Sequence, residues 1–320
     1  MRVGTKLGSA ALGVALLFAV SACGGSADGA PGADATPVDA APHVQPDPAA
    51  VKLLPADLQK GGTITMAADL NYPPTSFLAE DNTTPVGYNI DIAHLLGEKL
   101  GVTVDIKNVS FDSVIPGLAA GRYDFTATNM SPTADRLKVL DMITYWADGS
   151  SLVVSKDNPL GLSLADLSTC GHRIAVMSGT TQQEIYLPAI SKSCESNGKA
   201  GVDAVVLPNV QAALTQLASK RIDGVFYDTP SLAWAAKQQP QFQLLSPQYK
   251  KSEADCHQGD TALRRLCSKA IVALGVKKDS PLTPALHAAM QSLMADSSYQ
   301  ATLDRWNLGS GAIPASQVLR

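Results

Sequence analysis

Beyond Gly61, segments with a strand pattern and segments with a helix pattern alternate along the chain, and this alternation restricts the possible folds more than any other feature. The first cycle runs from a strand at 63–67 through a helix at 88–100 to a strand at 102–109. The apolar residues of that helix recur at helical spacing, and Gly101 follows them, as glycine often does at a helix C-terminus. Alternation of this kind predicts an α/β protein.

The same alternation continues to the end of the chain, so we predict two α/β lobes. The length of 320 residues agrees, since an average domain has about 150 residues. A helix capped by Asp112 and ended by Gly121 is expected before a strand at 123–126. The later predicted strands are 173–177, 204–207, 224–227 and 270–275, and the later predicted helices begin near Thr181 and Pro230 or span 209–220 and 284–295, before an amphipathic tail at 299–306.

The composition is that of a folded protein and excludes several classes. Hydrophobic residues make up 45% of the chain and charged residues 17%, which excludes a disordered polymer and a coiled coil. The net charge of -4 comes without a concentrated basic block, and binding to a nucleic-acid backbone requires such a block. We therefore expect no nucleic-acid partner.

Residues 1–22 are predicted to be a signal peptide. Arg2 and Lys6 form a positive start, and the apolar stretch at 7–20 is too short for a comfortable membrane span. Small residues directly precede Cys23, which resembles the lipobox of bacterial lipoproteins. Acylation of Cys23 would anchor the protein to the extracytoplasmic face of the cell membrane. The alternative is a secreted protein that is cleaved nearby.

Residues 23–60 are predicted to form the lipid anchor and a flexible tether. From Gly24 to about Ala50 the chain consists almost entirely of Ala, Gly, Pro and Asp, without an apolar period. Such a segment buries too little surface to offset the entropy that ordering costs. The apolar runs after it are short and interrupted, so we expect no membrane-spanning helix.

The cysteines indicate an oxidising compartment. With Cys23 assigned to lipid, four remain, and thiols of exported proteins normally oxidise in pairs. Three connectivities are open, and we favour the one whose two disulfides each close a local loop: Cys170 with Cys194, and Cys256 with Cys267. The alternative is zinc at Cys256, His257 and Cys267, but a C-x-x-C pair and a fourth ligand at a familiar spacing are missing. We therefore expect no metal.

Several motifs stand in order between Gly61 and Trp306. They are Asp69-Leu70-Asn71-Tyr72-Pro73-Pro74, Gly87-Tyr88-Asn89-Ile90-Asp91-Ile92-Ala93, Phe111-Asp112-Ser113-Val114-Ile115-Pro116-Gly117-Leu118, Gly121-Arg122-Tyr123-Asp124, Met130-Ser131-Pro132-Thr133-Ala134-Asp135-Arg136, Ser178-Gly179-Thr180-Thr181-Gln182 and Asp223-Gly224-Val225-Phe226-Tyr227-Asp228. In this order and spacing the motifs resemble those of the bacterial extracellular solute-binding proteins, family 3. Members of that family supply polar amino acids to ABC importers.

The resemblance implies a periplasmic-binding-protein fold of type II, with two lobes, two crossing hinge strands and a ligand cleft between the lobes. The crossings are expected near 151–155 and 270–274. Lobe 1 would then consist of residues 61–154 and 271–320, and lobe 2 of residues 155–270. A monomer is expected, with an ABC permease complex as its partner.

The resemblance also assigns residues to the charged head of an amino acid. A dry cleft must pair both the α-carboxylate and the α-ammonium, because an unpaired buried charge is costly. Arg136 would bind the carboxylate with its planar fork, together with Gly179 and Thr181 at the start of a helix. Asp228 would hold the ammonium. For Thr181 and Asp228 the alternative is an ordinary helix N-cap.

The other expected contacts select the ligand. Ser131 would offer its hydroxyl, and Asn129 a backbone or amide acceptor. Tyr72 and Phe111 would stack on the ligand side chain. Asp69 would face the end of that side chain, and family members with aspartate there bind lysine, arginine, ornithine, histidine or glutamine.

Met177 stands where glutamine-binding members often carry lysine, so a basic amino acid is expected first and glutamine second. The predicted function is to capture such a ligand for an ABC importer. Two alternatives are a sensory lipoprotein on the same fold and an exported enzyme similar to cyclohexadienyl dehydratase. Because the sequence shows no Ser-His-Asp spacing, glycine-rich nucleotide loop or metal cluster, we expect no enzyme and no cofactor.

Overall fold

The structure is a computed structural model, and it describes residues 42–249, 267 and 269–320. The predicted signal peptide, the lipidation site Cys23 and the predicted disulfide partner Cys256 lie outside these residues. Cys267 is disulfide-bonded.

Lobe 1 is built on a mixed sheet that has six strands within the described residues. From edge to edge these are β14 (Val318–Leu319), β7 (Leu140–Ala147), β13 (Ile271–Lys277), β6 (Phe125–Met130), β1 (Thr63–Ala68) and β5 (Thr103–Asn108). β1 runs parallel to β5 and β6, whereas β13 runs antiparallel to β6 and β7. Parallel neighbours need crossover connections, and helices provide them here.

The helices of lobe 1 are α2 (Tyr88–Leu100), α3 (Phe111–Ala119), α4 (Ala134–Leu137), α8 (Thr283–Ala295) and α9 (Ser298–Arg305). α2 ends at Gly101, which adopts a left-handed φ of 65°, as its sequence predicts. α2, α8 and α9 pack against β1 in the main hydrophobic core of lobe 1. α3 begins at Phe111 with Ser110 as its N-cap residue, so the prediction that Asp112 caps this helix is wrong.

A small antiparallel sheet connects β1 to α2. It consists of β2 (Asn71–Tyr72), β3 (Ser76–Leu78) and β4 (Pro85–Val86). Its strands are too short to give a periodic apolar pattern, which explains why the sequence did not predict them. This sheet carries Tyr72 to the boundary between the lobes, where its ring contacts the ring of Tyr227.

Lobe 2 is built on a second sheet, with five strands in the part of the chain that the structure describes. Their order is β10 (Asp203–Leu207), β9 (Arg173–Met177), β11 (Gly224–Asp228), β8 (Ser150–Ser155) and β12 (Phe242–Leu244). β9 runs parallel to β10 and β11, and β8 runs antiparallel to β11 and β12. The sheet is accompanied by a π-helix (Gln182–Tyr186) that continues into α5 (Leu187–Ser196), and by α6 (Val210–Ala218) and α7 (Thr229–Gln238).

One predicted disulfide is confirmed. Cys170 and Cys194 are bonded, with their Cα atoms 5.6 Å apart. The bond ties the end of α5 to the loop before β9 and closes a segment with a sequence separation of 24. A cross-link of this kind stabilises a fold mainly by restricting the unfolded chain.

The chain leaves lobe 1 after β7, enters lobe 2 at β8 and is again part of the lobe 1 sheet at β13. This arrangement is the two-lobed α/β architecture that the sequence predicts. One hydrophobic cluster spans the lobes: it contains Phe111 and Leu118 of α3 and Met177, Val210 and Leu214 of lobe 2. The lobes therefore meet through buried apolar side chains beside the cleft.

The folded body begins earlier than residue 61, which corrects the predicted extent of the tether. Residues 48–51 form a helical turn, α1 (Pro48–Val51), capped by Asp47. Ala50 and Leu54 are buried in the core of lobe 1 at 0% and 3% exposure. The Asp47 N–H donates to Lys99 O at 2.8 Å. The cap by Asp47 and the burial of Ala50 and Leu54 thus fix a segment that is rich in Ala and Pro.

None of the helices in the described residues combines the length and the apolar character that crossing a membrane requires.

Candidate functional site

A small pocket lies between the two lobes. It forms where β6 of lobe 1 and β9 and β11 of lobe 2 end. Parallel strands place their carboxyl ends at one edge of a sheet, and ligands of open α/β sheets bind outside that edge. The pocket is lined by Phe111, Thr128, Asn129, Ser131, Arg136, Thr180, Thr181, Gln182, Tyr227 and Asp228.

Arg136 is the cation of the pocket. It lies in α4, where its N–H donates to the capping Thr133 Oγ1 at 3.2 Å. Its Nη1 donates to Ser131 O and its Nη2 to Gly179 O, both at 2.9 Å, so the guanidinium joins the two lobes directly. Burial lowers the pKa of Arg136 from its ordinary value, and nearby Glu184 acts in the opposite direction. These two bonds use two of the five guanidinium donors.

The turn after β9 faces Arg136 from lobe 2. Gly179 adopts a φ of +74°, and a Cβ there would lie 3.2 Å from the Cα of Asp112 in lobe 1, so the turn favours glycine for its conformation and for close approach. The Gly179 N–H donates to Gln183 Oε1 at 2.8 Å. The Thr180 hydroxyl donates to Met177 O at 2.7 Å. Thr181 is the buried residue of this turn that lines the pocket without a side-chain cap bond.

Asp228 is the carboxylate of the pocket. It ends β11 and directly precedes α7, but its side chain makes no capping hydrogen bond to that helix. Its Oδ1 accepts a hydrogen bond of 2.7 Å from Gln182 Nε2, which also donates to Ser150 Oγ at 2.9 Å. The N-cap alternative for the Asp228 side chain is therefore wrong, and Gln182 orients the carboxylate.

Asn129 lines the pocket with its amide directed into lobe 1. Its backbone has a left-handed φ of 53°, which asparagine tolerates better than most residues. Its Nδ2 donates to Thr75 Oγ1 at 3.1 Å, and its Oδ1 accepts from Asn89 Nδ2 at 3.0 Å and from Tyr145 OH at 3.3 Å. These bonds occupy the amide, so the main chain of Asn129 is the part suited to a ligand contact.

Three residues that the sequence assigned to the ligand lie beside the pocket and are not part of its lining: Asp69, Tyr72 and Gly179. Asp69 follows β1 and is 2% exposed. Its Oδ1 accepts from Asn71 Nδ2 at 2.7 Å and its Oδ2 from Phe111 N at 3.0 Å. Burial is the main cause that raises its pKa above the ordinary value.

Four lining residues were not among the predicted contacts: Thr128, Thr180, Gln182 and Tyr227. Thr180 and Gln182 stand within the Ser178–Gln182 motif, so their position next to Thr181 was a usable signal. Tyr227 immediately precedes Asp228 in a strand whose residues are nearly all buried. A buried tyrosine in such a strand normally indicates core packing, which is why the sequence did not single it out.

The arrangement suits a small molecule that carries both charges. Arg136 presents a cation from lobe 1 and Asp228 a carboxylate from lobe 2, and both line one small pocket. Within residues 42–249, 267 and 269–320, no group of three His, Cys, Asp or Glu side chains is placed to hold a metal ion. The lining offers hydrogen-bond donors and acceptors, with Phe111 and Tyr227 as its aromatic surfaces.

The model of the bacterial extracellular solute-binding proteins, family 3, matches residues 64–309. The chain belongs to this family. The match covers most of lobe 1 and all of lobe 2, and it confirms the family that the sequence motifs indicate.

Several relatives of this solute-binding protein are named as arginine-binding proteins. The arginine-binding protein ArgT of Corynebacterium glutamicum is 24% identical over 274 residues, which are 85% of this chain and 83% of that protein. ABC transporter arginine-binding protein 1 of Escherichia coli is 28% identical over 244 residues, or 76% of this chain and 90% of that protein. Both names describe binding proteins and not enzymes.

Solved structures of amino-acid-binding proteins have a similar fold. An ancestral arginine-binding protein bound to arginine has a TM-score of 0.65 and 26% identity, and the match covers 77% of this chain and 98% of that one. The substrate-binding protein of an amino acid ABC transporter has a TM-score of 0.62 and 25% identity, with 77% and 99% covered. These family members share the two-lobed fold described above.

Proposed function

We propose that this solute-binding protein captures a free amino acid in the pocket between its lobes and delivers it to an ABC permease. The observation that carries the proposal is that Arg136 and Asp228 line one small pocket from opposite lobes. Every α-amino acid carries a carboxylate and an ammonium, and a buried site must pair both of them. One cation and one carboxylate are the minimum that meets this requirement.

The carboxylate of the ligand would pair with Arg136. Its guanidinium can form two parallel hydrogen bonds to a carboxylate, and these are among the strongest in proteins. Thr181 and Ser131 line the pocket close to this cation and offer hydroxyl donors. The ammonium would pair with Asp228, whose carboxylate Gln182 holds in place.

The ligand class follows from the relatives and the nearby carboxylates. The reported relatives are named for arginine, which supports a basic amino acid as the first candidate. Glutamine is the second candidate, and it rests on the family resemblance at Asp69. Asp69 is the additional carboxylate that a cationic side chain would reach. A ligand that contacts both lobes favours the closed form, because it binds that form more tightly than the open one.

A ligand panel tests the proposed function. The protein from residue 42 onward is purified, unfolded and refolded to remove any bound ligand. Its thermal unfolding is then measured in the presence of each of the twenty amino acids in turn. A ligand that binds only the folded form raises the midpoint of unfolding by mass action, by an amount that grows with concentration. Basic amino acids should give the largest increase, with calorimetric titration as confirmation. No increase with any amino acid would contradict the proposal.

We further propose that the mature chain begins at a lipidated Cys23 and stays on the extracytoplasmic face of the membrane. The support is the run of small residues before Cys23 and the apolar stretch that precedes them. Two or more acyl chains hold a protein stably on a bilayer, whereas one does so only weakly.

Replacing Cys23 by Ala should release the protein from the membrane fraction and abolish labelling by a fatty-acid analogue, because the thiol that carries the lipid is gone. The measurement is fractionation of cells that express the full chain, with metabolic labelling. Ser21→Ala is the matched control, since it keeps a small residue beside an intact Cys23. Labelling that persists in Cys23→Ala would contradict lipidation at this residue.

A further inference from the structure

The contacts proposed for the ligand head leave one buried carboxylate unexplained. Asp69 is 2% exposed, and among the described residues no cationic side chain forms an ion pair with it. Its hydrogen bonds come from neutral donors, which include Asn71 Nδ2 and the Phe111 N–H. Burying a carboxylate without a cation is costly, so such a group often serves a binding function.

Two tyrosines lie next to this carboxylate. Tyr72 of lobe 1 and Tyr227 of lobe 2 are 5% and 3% exposed, and their ring centroids are 5.3 Å apart with an interplanar angle of 31°. Tyr227 lines the pocket, whereas Tyr72 and Asp69 do not. Asp69 Oδ2 accepts from the N–H of Phe111, which lines the pocket, and Phe111 packs in one buried cluster with Tyr72 and Tyr227. Tyr227 directly precedes Asp228, so the ring pair lies between the surroundings of the two carboxylates.

We infer that Tyr227 is a specificity-determining residue that closes the route from the ligand pocket to Asp69. This inference rests on the proposed amino-acid-binding function. Carbon atoms in contact lie about 3.5 to 4.0 Å apart, so a side chain between two rings needs a ring separation of about 7 Å or more. At 5.3 Å the rings leave no such space.

The consequence is a selection among side chains by length and charge. A short polar side chain has no need to reach Asp69, so the ring of Tyr227 does not oppose its binding. A long cationic side chain can pair with Asp69 only when the ring of Tyr227 moves aside. The free energy needed to move this ring therefore weakens the binding of such a ligand. Tyr227 thereby lowers the preference for arginine that Asp69 would otherwise give.

Tyr227 also belongs to the hydrophobic cluster that spans the lobes, and a packing role predicts a different result. If the ring only stabilises the closed form, its loss lowers the affinity for every ligand by a similar factor. If the ring blocks access to Asp69, its loss changes the ratio of the affinities for arginine and serine, and this change depends on Asp69. The ratio therefore distinguishes the two roles.

The experiment measures the affinity of the parent, Tyr227→Leu, Tyr227→Ala and Tyr227→Phe for L-arginine and L-serine by calorimetry. Tyr227→Leu removes the ring but keeps an apolar side chain, so it serves if Tyr227→Ala does not fold. Tyr227→Phe keeps the ring and is the matched control. Loss of the ring should increase the affinity for arginine relative to serine at least tenfold, and Tyr227→Phe should change this ratio less than threefold. In an Asp69→Asn background the tenfold gain should disappear.

Two results would overturn the inference: an unchanged ratio in the folded ring-less variants, or a gain that survives Asp69→Asn. Either result leaves the proposed function intact, because the parent still binds an amino acid. Failure of the parent and of all variants to bind any amino acid would instead contradict the proposed function, and this inference with it.

Discussion

Arg136→Ala is expected to lower the affinity for the amino-acid ligand by roughly thirty-fold to several thousand-fold. Removing one partner of a desolvated charge pair costs about 2 to 5 kcal/mol, and about 1.4 kcal/mol corresponds to a factor of ten. The variant also loses the hydrogen bonds to Ser131 O and Gly179 O, and the second of these joins the lobes. Arg136→Lys should also bind poorly, because a point charge cannot replace the planar fork.

Calorimetric titration with the best ligand of the panel measures this loss, and small-angle scattering shows whether the variant still compacts when ligand is added. Arg122→Ala is the matched control, since Arg122 is an exposed arginine of lobe 1 and its loss changes the net charge equally. A folded Arg136→Ala protein that binds within threefold of the parent would show that the carboxylate is held elsewhere.

Asp228→Asn is expected to produce a loss of similar size, again roughly thirty-fold or more, because the ammonium of the ligand remains buried without its counter-charge. Asparagine keeps the shape of the side chain and retains an oxygen that can accept the hydrogen bond from Gln182. The effect therefore reports the charge and not the packing. Calorimetric titration of the parent and the variant gives the ratio of affinities.

A ligand analogue without the α-ammonium makes this test specific. The parent should bind the analogue weakly, and Asp228→Asn should cost this analogue almost nothing, because the pair is already broken. Asp203→Asn, an exposed aspartate of lobe 2, is the charge control. An equal loss for the ligand and its analogue would assign Asp228 a structural role in place of the proposed contact.

The helices and strands of the first cycle were predictable because local patterns decide them. α2 has an apolar stripe and a glycine at its end. Of the strands on either side of it, β1 is a largely apolar run and β5 alternates apolar with polar residues in its first four positions. The strands β7 and β8 were harder, since residues 140–154 are almost uniformly buried and show no period. α1 was missed because its stability comes from Ala50 and Leu54 packing on lobe 1, which is tertiary structure and not a local preference.

For the candidate site, the residues that line the pocket were partly predictable from the sequence, whereas the directions of their side chains were not. Arg136, Thr181 and Asp228 all line the pocket: Arg136 lies in the short helix α4, Thr181 directly precedes the π-helix, and Asp228 ends β11. The direction of a side chain was not predictable. The amide of Asn129 turns toward Asn89, forty positions earlier in the chain, because the left-handed backbone and three partners fix it there. Such a network exists only once the lobe has folded.

The docking of residues 42–58 on lobe 1 has a mechanical consequence. His43 Nδ1 lies 2.7 Å from Glu98 Oε1, the Val44 N–H donates to Glu98 Oε2 at 2.8 Å, and Leu54 is buried in the lobe 1 core. A pull along the N-terminal segment is therefore carried into lobe 1 through these contacts, and none of them belongs to lobe 2. Tension applied at His43 therefore acts on lobe 1 and does not act directly on the two walls of the pocket between the lobes.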